Sequence, residues 1–326
     1  MERRQFCLGA LGASLMLHPA ARAATGTYPS RAVRIVVPYA AGGGPDIMVR
    51  QFGPVLSRAL GQPIVVENKV GAGGVLAAQY AAQAPADGYT VLLGSNSHLI
   101  QKALQPDLAF DPIDDFAPVT LIASSPTVLV VSAGSPYHTA QDLIAALRAH
   151  PGKLNFASGG VGSGAHLGGA TFISLLKADA VHVPFKGSVE IPTSLQRGDT
   201  DFAFAIAGTA IPQVKDGRLR ALAVTSRDPV AELPGVPTLH DILRSDLAIQ
   251  EFWFGLWLPR NSPADAVDKL YSATTAALRE PAVKSMFEAT GNRVIQSDSP
   301  QADAAFVRGE YRKWAEIIKL TGISAG

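Results

Sequence analysis

Short runs of β-branched residues alternate with alanine-rich stretches along most of this 326-residue chain, and this alternation limits the possible folds more than any other feature. The runs are almost continuously apolar, as in strands buried on both faces of a sheet. Strands are predicted at 33–39, 62–68, 89–95, 127–133, 153–159 and 180–185, with helices near 46–60, 73–84, 139–149 and 164–177. The pattern is typical of parallel sheets covered by helices, so we predict an α/β fold.

Two changes along the chain predict two lobes joined by crossing segments. An acidic segment broken by prolines gives way to a new strand–helix series near 119–131, and a second change comes near 251–259. We predict residues 24–124 with 254–326 as lobe 1 and residues 125–253 as lobe 2, both α/β. Sheets of this kind bind ligands at the carboxyl ends of their strands, so facing lobes would form a cleft.

The C-terminal stretch is expected to be helical. From about Pro263 to Leu320 the sequence predicts two amphipathic helices that are broken at Gly291.

The first 23 residues have the pattern of a secretory signal peptide. Arg3 and Arg4 form a short basic head, 6–17 is an apolar run too short to span a bilayer, and small residues precede a cleavage position after Ala23. The paired arginines also resemble a twin-arginine signal, so two export routes stay open. We expect the protein to work in the periplasm.

Removal of this segment changes the composition of the mature chain. It takes away Cys7, the single cysteine, so no disulfide or thiol chemistry is expected. It also removes three basic residues and one acidic residue, which turns the formal charge from +1 to −1. A near-neutral chain without basic runs does not favour nucleic-acid binding. We expect a soluble monomer that binds a small molecule.

Two glycine-rich corners stand out, one in each predicted lobe. VRIVVPYAAGGGPDIMVR (33–50) and NFASGGVGSGAHLGG (155–169) both predict a strand, a glycine turn and a helix start. Such corners expose N–H groups at the positive end of a helix dipole, which suits an anion. One such corner is usually just a tight turn, whereas two predict paired ligand loops.

Enzyme motifs give weaker signals. Gly160, Gly162 and Ala165 fit a loose dinucleotide fingerprint, but Asp179 precedes the next strand instead of ending it, where a ribose-binding acid belongs. The patterns of a P-loop and of a nucleophile elbow are absent, and the histidines lack metal-ligand spacing. We expect no catalytic residue, no cofactor and no metal.

Blocks along the whole mature chain resemble the extracytoplasmic substrate-binding proteins of tripartite tricarboxylate transporters, the TctC-like or Bug receptors. The blocks carrying this resemblance lie at 28–50, 65–95, 115–131, 155–167, 183–187, 219–226, 233–239 and 254–270. The resemblance implies a two-lobed, type II-like periplasmic-binding-protein fold (a Venus flytrap). It also implies a small carboxylate ligand and, as partners, the membrane subunits of such a transporter.

The resemblance also implies which residues form the ligand loops, with the carboxylate held by backbone N–H groups, hydroxyls and water. Carried over by position, these residues are Pro38, Tyr39, Gly42, Gly43, Asp46, Ser95 and Asn96 in lobe 1 and Ser158, Gly159, Ser163, His166, Lys186 and Gly187 in lobe 2.

One departure from the family pattern bears on the ligand. Ala205 and Ile206 stand where the family often has an Asp-Asn pair. If these side chains face the cleft, one wall is apolar and favours a carboxylate with an uncharged body over an acidic amino acid. If they pack inside the lobe instead, the ligand class stays open.

Three functions remain open at this point. The leading one is a non-catalytic receptor that captures a small carboxylate for a tripartite tricarboxylate-type transporter. The alternatives are a periplasmic dinucleotide-dependent oxidoreductase and a ligand sensor that serves a signalling partner.

Overall fold

The computed structural model describes residues 28–324, so the predicted signal peptide lies outside the described residues. The described strands are β1 Val33–Val37, β2 Ile64–Asn68, β3 Thr90–Ser95, β4 Phe116–Ser132, β5 Asn155–Ser158, β6 Val181–Pro184, β7 Phe202–Ile206, β8 Leu219–Val224, β9 Glu251–Pro259 and β10 Arg293–Val294. The described helices are α1 Gly44–Leu60, α2 Val75–Ala82, α3 Asn96–Leu104, α4 Ala140–Ala149, α5 Gly164–Leu176, α6 Ile191–Arg197, α7 Ala207–Lys215, α8 Leu239–Leu243, α9 Ala264–Leu278, α10 Pro281–Glu288 and α11 Pro300–Thr321.

The strands follow the order β2-β1-β3-β9-β4-β7-β5-β6, and β8 and β10 also pair with β4. The long strand β4 joins two sheets. Its residues 116–126 pair with β9, whereas residues 127–132 pair with β7 or β8. We call the part built around β1, β2 and β3 lobe 1 and the part built around β5 to β8 lobe 2. The domain limits near 124 and 254 stay predictions.

The sheet is mixed, not purely parallel as the apolar runs suggested. β1 pairs in parallel with β2 and β3, and β5 pairs in parallel with β6 and β7. β9 and β4 run antiparallel to their neighbours because they cross between the lobes.

β4 also begins 11 residues earlier than predicted. Register shifts around Pro118 and Leu121 let the strand pass through the proline-containing segment.

Up to residue 324, where the described part of the chain ends, the C-terminal region forms three helices instead of the predicted two. The extra break separates α9 from α10 at Arg279 and Glu280, and Pro281 begins α10. A proline fits the first turn of a helix but cannot continue the preceding one, which explains the break. Gly291 follows α10 with a φ of +69°, so the second break lies where it was expected.

Each lobe has its own apolar core, and the lobes also contact one another. Phe52 and Phe287 pack edge to face in lobe 1, and Phe172 and Phe204 do so in lobe 2. A further cluster of buried apolar residues lies where α3, α5 and α11 meet. It consists of Ile100, Leu167, Trp314, Ile317 and Ile318. At residues 28–324, no helix has both the length and the hydrophobicity of a membrane span.

Candidate functional site

The first glycine-rich corner connects β1 to α1 in lobe 1. Gly42 has a φ of +80°, a conformation that favours glycine. The N–H of Gly43 donates to Ala40 O at 3.1 Å, and the N–H of Gly42 donates to Asp46 Oδ2 at 2.9 Å. Pro45 has no N–H. Most of the N–H groups that the sequence predicted as donors to a ligand are therefore used inside the loop. Gly43 still lines the cleft, with its backbone atoms.

Asp46 holds this corner together. Asp46 is 1% exposed, and its carboxylate accepts hydrogen bonds from Arg50 Nε at 3.0 Å and from Asn68 Nδ2 at 2.8 Å, in addition to Gly42 N. Burial alone raises the pKa of Asp46, but the hydrogen bonds from Arg50, Asn68 and Gly42 outweigh it and lower the pKa. Asp46 does not line the cleft, so its predicted contact with a ligand gives way to a positioning role in the loop.

We expect Asp46→Ala to destabilise the protein by about 2–4 kcal/mol, because it leaves Arg50, Asn68 and the N–H of Gly42 without their acceptor. The free energy of unfolding from denaturant titration measures this effect. Asp114→Ala is the matched control, since the Asp114 side chain is 63% exposed in a surface ion pair. Equal losses in the two variants would contradict this role of Asp46.

The next side chains follow β3. Tyr39 Oη hydrogen-bonds to Ser95 Oγ at 2.9 Å and to Ser97 Oγ at 3.3 Å. Burial raises the pKa of Tyr39, which therefore stays neutral. Ser95 is fully buried as the N-terminal cap of α3, and Asn96 is fully buried against Glu251 O. Ser95 and Asn96 thus support the cleft from behind, whereas Tyr39 and Ser97 line it.

In lobe 2, the corner from β5 to α5 is held by two stacked histidines. The rings of His166 and His182 lie 3.8 Å apart with an interplanar angle of 7°. Gly162 N–H donates to His166 Nδ1 at 3.1 Å, and Ser158 Oγ lies 2.6 Å from His182 Nε2. Ser158 and His166 therefore fix the loop and do not line the cleft, because both side chains are directed into the lobe.

The loops of the two lobes face each other across a cleft. It holds about 750 Å³ of space free of atoms, counting the solvent at its mouth. Eight of the predicted residues line it: Pro38, Tyr39, Gly43, Gly159, Ser163, Lys186, Gly187 and Ile206. Seven do not: Gly42, Asp46, Ser95, Asn96, Ser158, His166 and Ala205.

The cleft is narrow at the lip formed by Gly43 and Val189. A Cβ placed on Gly43 would lie 3.8 Å from Val189 Cγ1. Behind the cleft, Gln101 Nε2 in lobe 1 donates to Val161 O in lobe 2 at 3.0 Å. The lobes therefore approach each other closely enough to enclose a small molecule.

Ala205 and Ile206, the pair that departs from the family pattern, face opposite sides of β7. Ala205 is fully buried and packs in the core of lobe 2, which is the second of the two arrangements that the sequence left open for this pair. Successive side chains on a strand point to opposite faces, which sends Ile206 into the cleft beside Phe252. Of the two side chains, that of Ile206 therefore forms part of an apolar wall of the cleft.

Sequence reasoning missed several lining residues. They are Ala40, Val70, Gly71, Gly73, Gly74, Ser97, Gly164, Ala165, Ser188, Val189, Ile191 and Phe252. The stretch 70–74 follows β2, which pairs with β1, so its position after a parallel strand was a usable signal. Phe252 lies on β9, the crossing segment predicted near 251–259, so its position between the lobes was also a usable signal.

Comparison with known proteins places these features in a family. The sequence model described as "Tripartite tricarboxylate transporter family receptor" (TctC) matches residues 48–323. The chain belongs to this receptor family. It is 32% identical to the protein BugT of Bordetella pertussis over 309 residues, which cover 93% of each chain.

Two solved structures of family members have the same fold. The periplasmic binding protein BugD superposes with a TM-score of 0.86 at 29% identity, over 91% of this chain and 99% of that one. MatC from Rhodopseudomonas palustris, solved with bound malate, superposes with a TM-score of 0.83 at 31% identity, over 89% of this chain and 100% of that one. The predicted two-lobed α/β fold is confirmed.

Members of the TctC family are periplasmic solute-binding receptors and not enzymes, so this chain is a receptor.

The loose dinucleotide fingerprint has another explanation. The N–H groups of Gly160 and Gly162 donate to Ser158 Oγ and His166 Nδ1, which leaves neither for a pyrophosphate. Asp179 lies before β6, and its backbone O accepts from Gly152 N. The oxidoreductase alternative is therefore set aside.

Proposed function

We propose that this receptor captures a small carboxylate in the cleft between its lobes and delivers it to the membrane subunits of a tripartite tricarboxylate-type transporter. The observation that carries the proposal is the cleft itself, in which loops from both lobes face each other within reach of one small molecule. The malate bound to MatC supports a carboxylate ligand. The signal-like pattern at 1–23 supports a periplasmic location.

A thermal-shift screen against mono-, di- and tricarboxylates tests the binding step. A ligand at 100 times its Kd adds about 2.7 kcal/mol to the free energy of unfolding. For a chain of this size we expect the melting temperature to rise by about 5 °C or more with at least one acid. A panel in which no carboxylate raises it would contradict the proposal.

Capture between two lobes also predicts a change of shape. Closure about the crossing segments β4 and β9 should lower the radius of gyration when the highest-ranking acid of the screen is bound. Small-angle X-ray scattering with and without that acid measures the change. Superimposable curves at saturation would contradict a hinged clamp.

Delivery to a transporter separates this proposal from a sensor that binds the same ligand. Uptake of the radiolabelled acid is expected to require this chain together with the membrane subunits. Gly43→Val, which blocks the cleft, should abolish that uptake. Unchanged uptake in cells without the chain would favour the sensor.

A further inference from the structure

One side of the cleft is an apolar wall. It consists of Val189, Ile191, Ile206 and Phe252. Ile191 and Phe252 are 0% and 3% exposed, so they hold fixed positions, whereas Val189 is 42% exposed at the lip. The ring of Phe252 closes the floor, because a Cβ on Gly164 would lie 1.5 Å from its Cζ atom. A ligand that fills the cleft must place part of its surface on this wall.

Among the described residues, the lining of the cleft offers an ammonium group no acidic partner. Among the described residues that line it, Lys186 alone carries a charged side chain, and no Asp or Glu contributes. Asp46, which the family resemblance placed in a ligand loop, accepts hydrogen bonds from Arg50, Asn68 and Gly42 with its carboxylate. A buried ammonium without a carboxylate partner is costly, so an amino group on the ligand would weaken binding.

One carboxylate does find complementary groups on lobe 2. Gly164 and Ala165 form the first turn of α5, a 13-residue helix, and both line the cleft. Within residues 28–324, their N–H groups have no acceptor in the protein. Lys186 Nζ forms no ion pair with a carboxylate of the described residues, since the Glu190 carboxylate accepts the backbone N–H of Lys186 instead, at 3.1 Å. The helix terminus and the lysine both favour an anion beside the apolar wall.

We infer that the ligand of this receptor is a monocarboxylate with an apolar alkyl or aryl body, without an amino group and without a second charge. The inference rests on the proposed function and specifies its substrate class. The carboxylate lies by Lys186 and the start of α5, and the body covers Ile206, Phe252 and Val189. A second carboxylate would have to lose its hydration against these side chains.

Three six-carbon acids test this inference by calorimetric titration of the processed chain. Hexanoate is the reference, adipate adds a second carboxylate, and norleucine adds an amino group. We expect hexanoate to bind at least 10-fold more tightly than either. Tighter binding of adipate or norleucine, or no binding of hexanoate, would overturn the inference. The proposed function itself fails only if the wider carboxylate screen is also negative.

Two valines of lobe 2 provide a matched pair of variants. Val189 is 42% exposed at the lip of the cleft, and Val181 is 54% exposed on β6, away from it. Because both side chains are exposed, both variants are expected to fold. Val189→Asn should lower the preference for hexanoate over adipate at least 3-fold, and Val181→Asn should leave it unchanged. An unchanged preference in Val189→Asn, or an equal change in both variants, would overturn the role of this wall.

Discussion

The Gly43→Val substitution is expected to reduce the affinity for the best carboxylate by about 100-fold or more, while the free energy of unfolding falls by only about 1–2 kcal/mol, because the added Cβ crowds the backbone oxygen of Ala40. Gly43 has a φ of −74°, which any residue adopts, so valine brings no backbone strain. Its side chain would occupy the lip of the cleft, between Ala40 O at 3.2 Å and Val189 at 3.8 Å from Cβ.

Calorimetric affinity measured beside denaturant unfolding separates the two effects. Gly134→Val is the matched control, because Gly134 follows β4 at a position where an added Cβ meets nothing within 4 Å. It is expected to leave affinity and stability unchanged. A folded Gly43→Val protein with wild-type affinity would remove this corner from the ligand site.

The second large effect is a loss of stability in acid. Burial lowers the pKa of His98 to about 4. Burial also lowers the pKa of His166 to about 4, with the charge of His182 adding to the shift, and burial lowers the pKa of His182 to about 4. These rings are neutral in the folded state, whereas in the unfolded chain they bind protons near pH 6.5.

The sign follows from these pKa values. Above pH 6.5 the histidines add no pH dependence, and below it the unfolded state binds more protons than the folded state. Stability therefore falls as the pH drops from 6.5 to about 4. Between pH 7.5 and 5 the fully buried His98 alone accounts for about 2 kcal/mol, and the less buried pair adds a smaller share.

Urea denaturation at a series of pH values measures this loss. The His182→Gln variant should lose stability less steeply between pH 6.5 and 5, because the number of protons taken up on unfolding falls by up to one. The exposed His138→Gln is the control and should keep the wild-type slope. A stability that does not change from pH 7.5 to 5 would contradict the burial of the neutral rings.

The architecture was predictable from the sequence because the strands and glycine corners are local signals. Apolar β-branched runs followed by glycines placed the β1–α1 and β5–α5 corners correctly. β4 was only partly predicted, since Pro118 suggested a break and a bulge in the pairing with β9 accommodates it.

The composition of the site was less predictable, because it depends on contacts between distant residues. No local pattern shows that Asp46 and His166 accept the N–H groups of their own glycine loops. Phe252 meets Gly164 across 88 positions of the chain, and only the folded crossing strand brings them together. Ala205 and Ile206 could not be assigned to a face until the register of β7 against β4 was fixed.

Recognition of a carboxylate by the interlobe cleft can be measured in one calorimetric comparison. The processed chain is titrated with the highest-ranking acid of the thermal-shift screen and with the primary amide of the same acid. If the cleft recognises the carboxylate, we expect one-to-one binding of the acid with a Kd in the micromolar range or below, and at least 100-fold weaker binding of the amide. Equal affinity for the two compounds would contradict it.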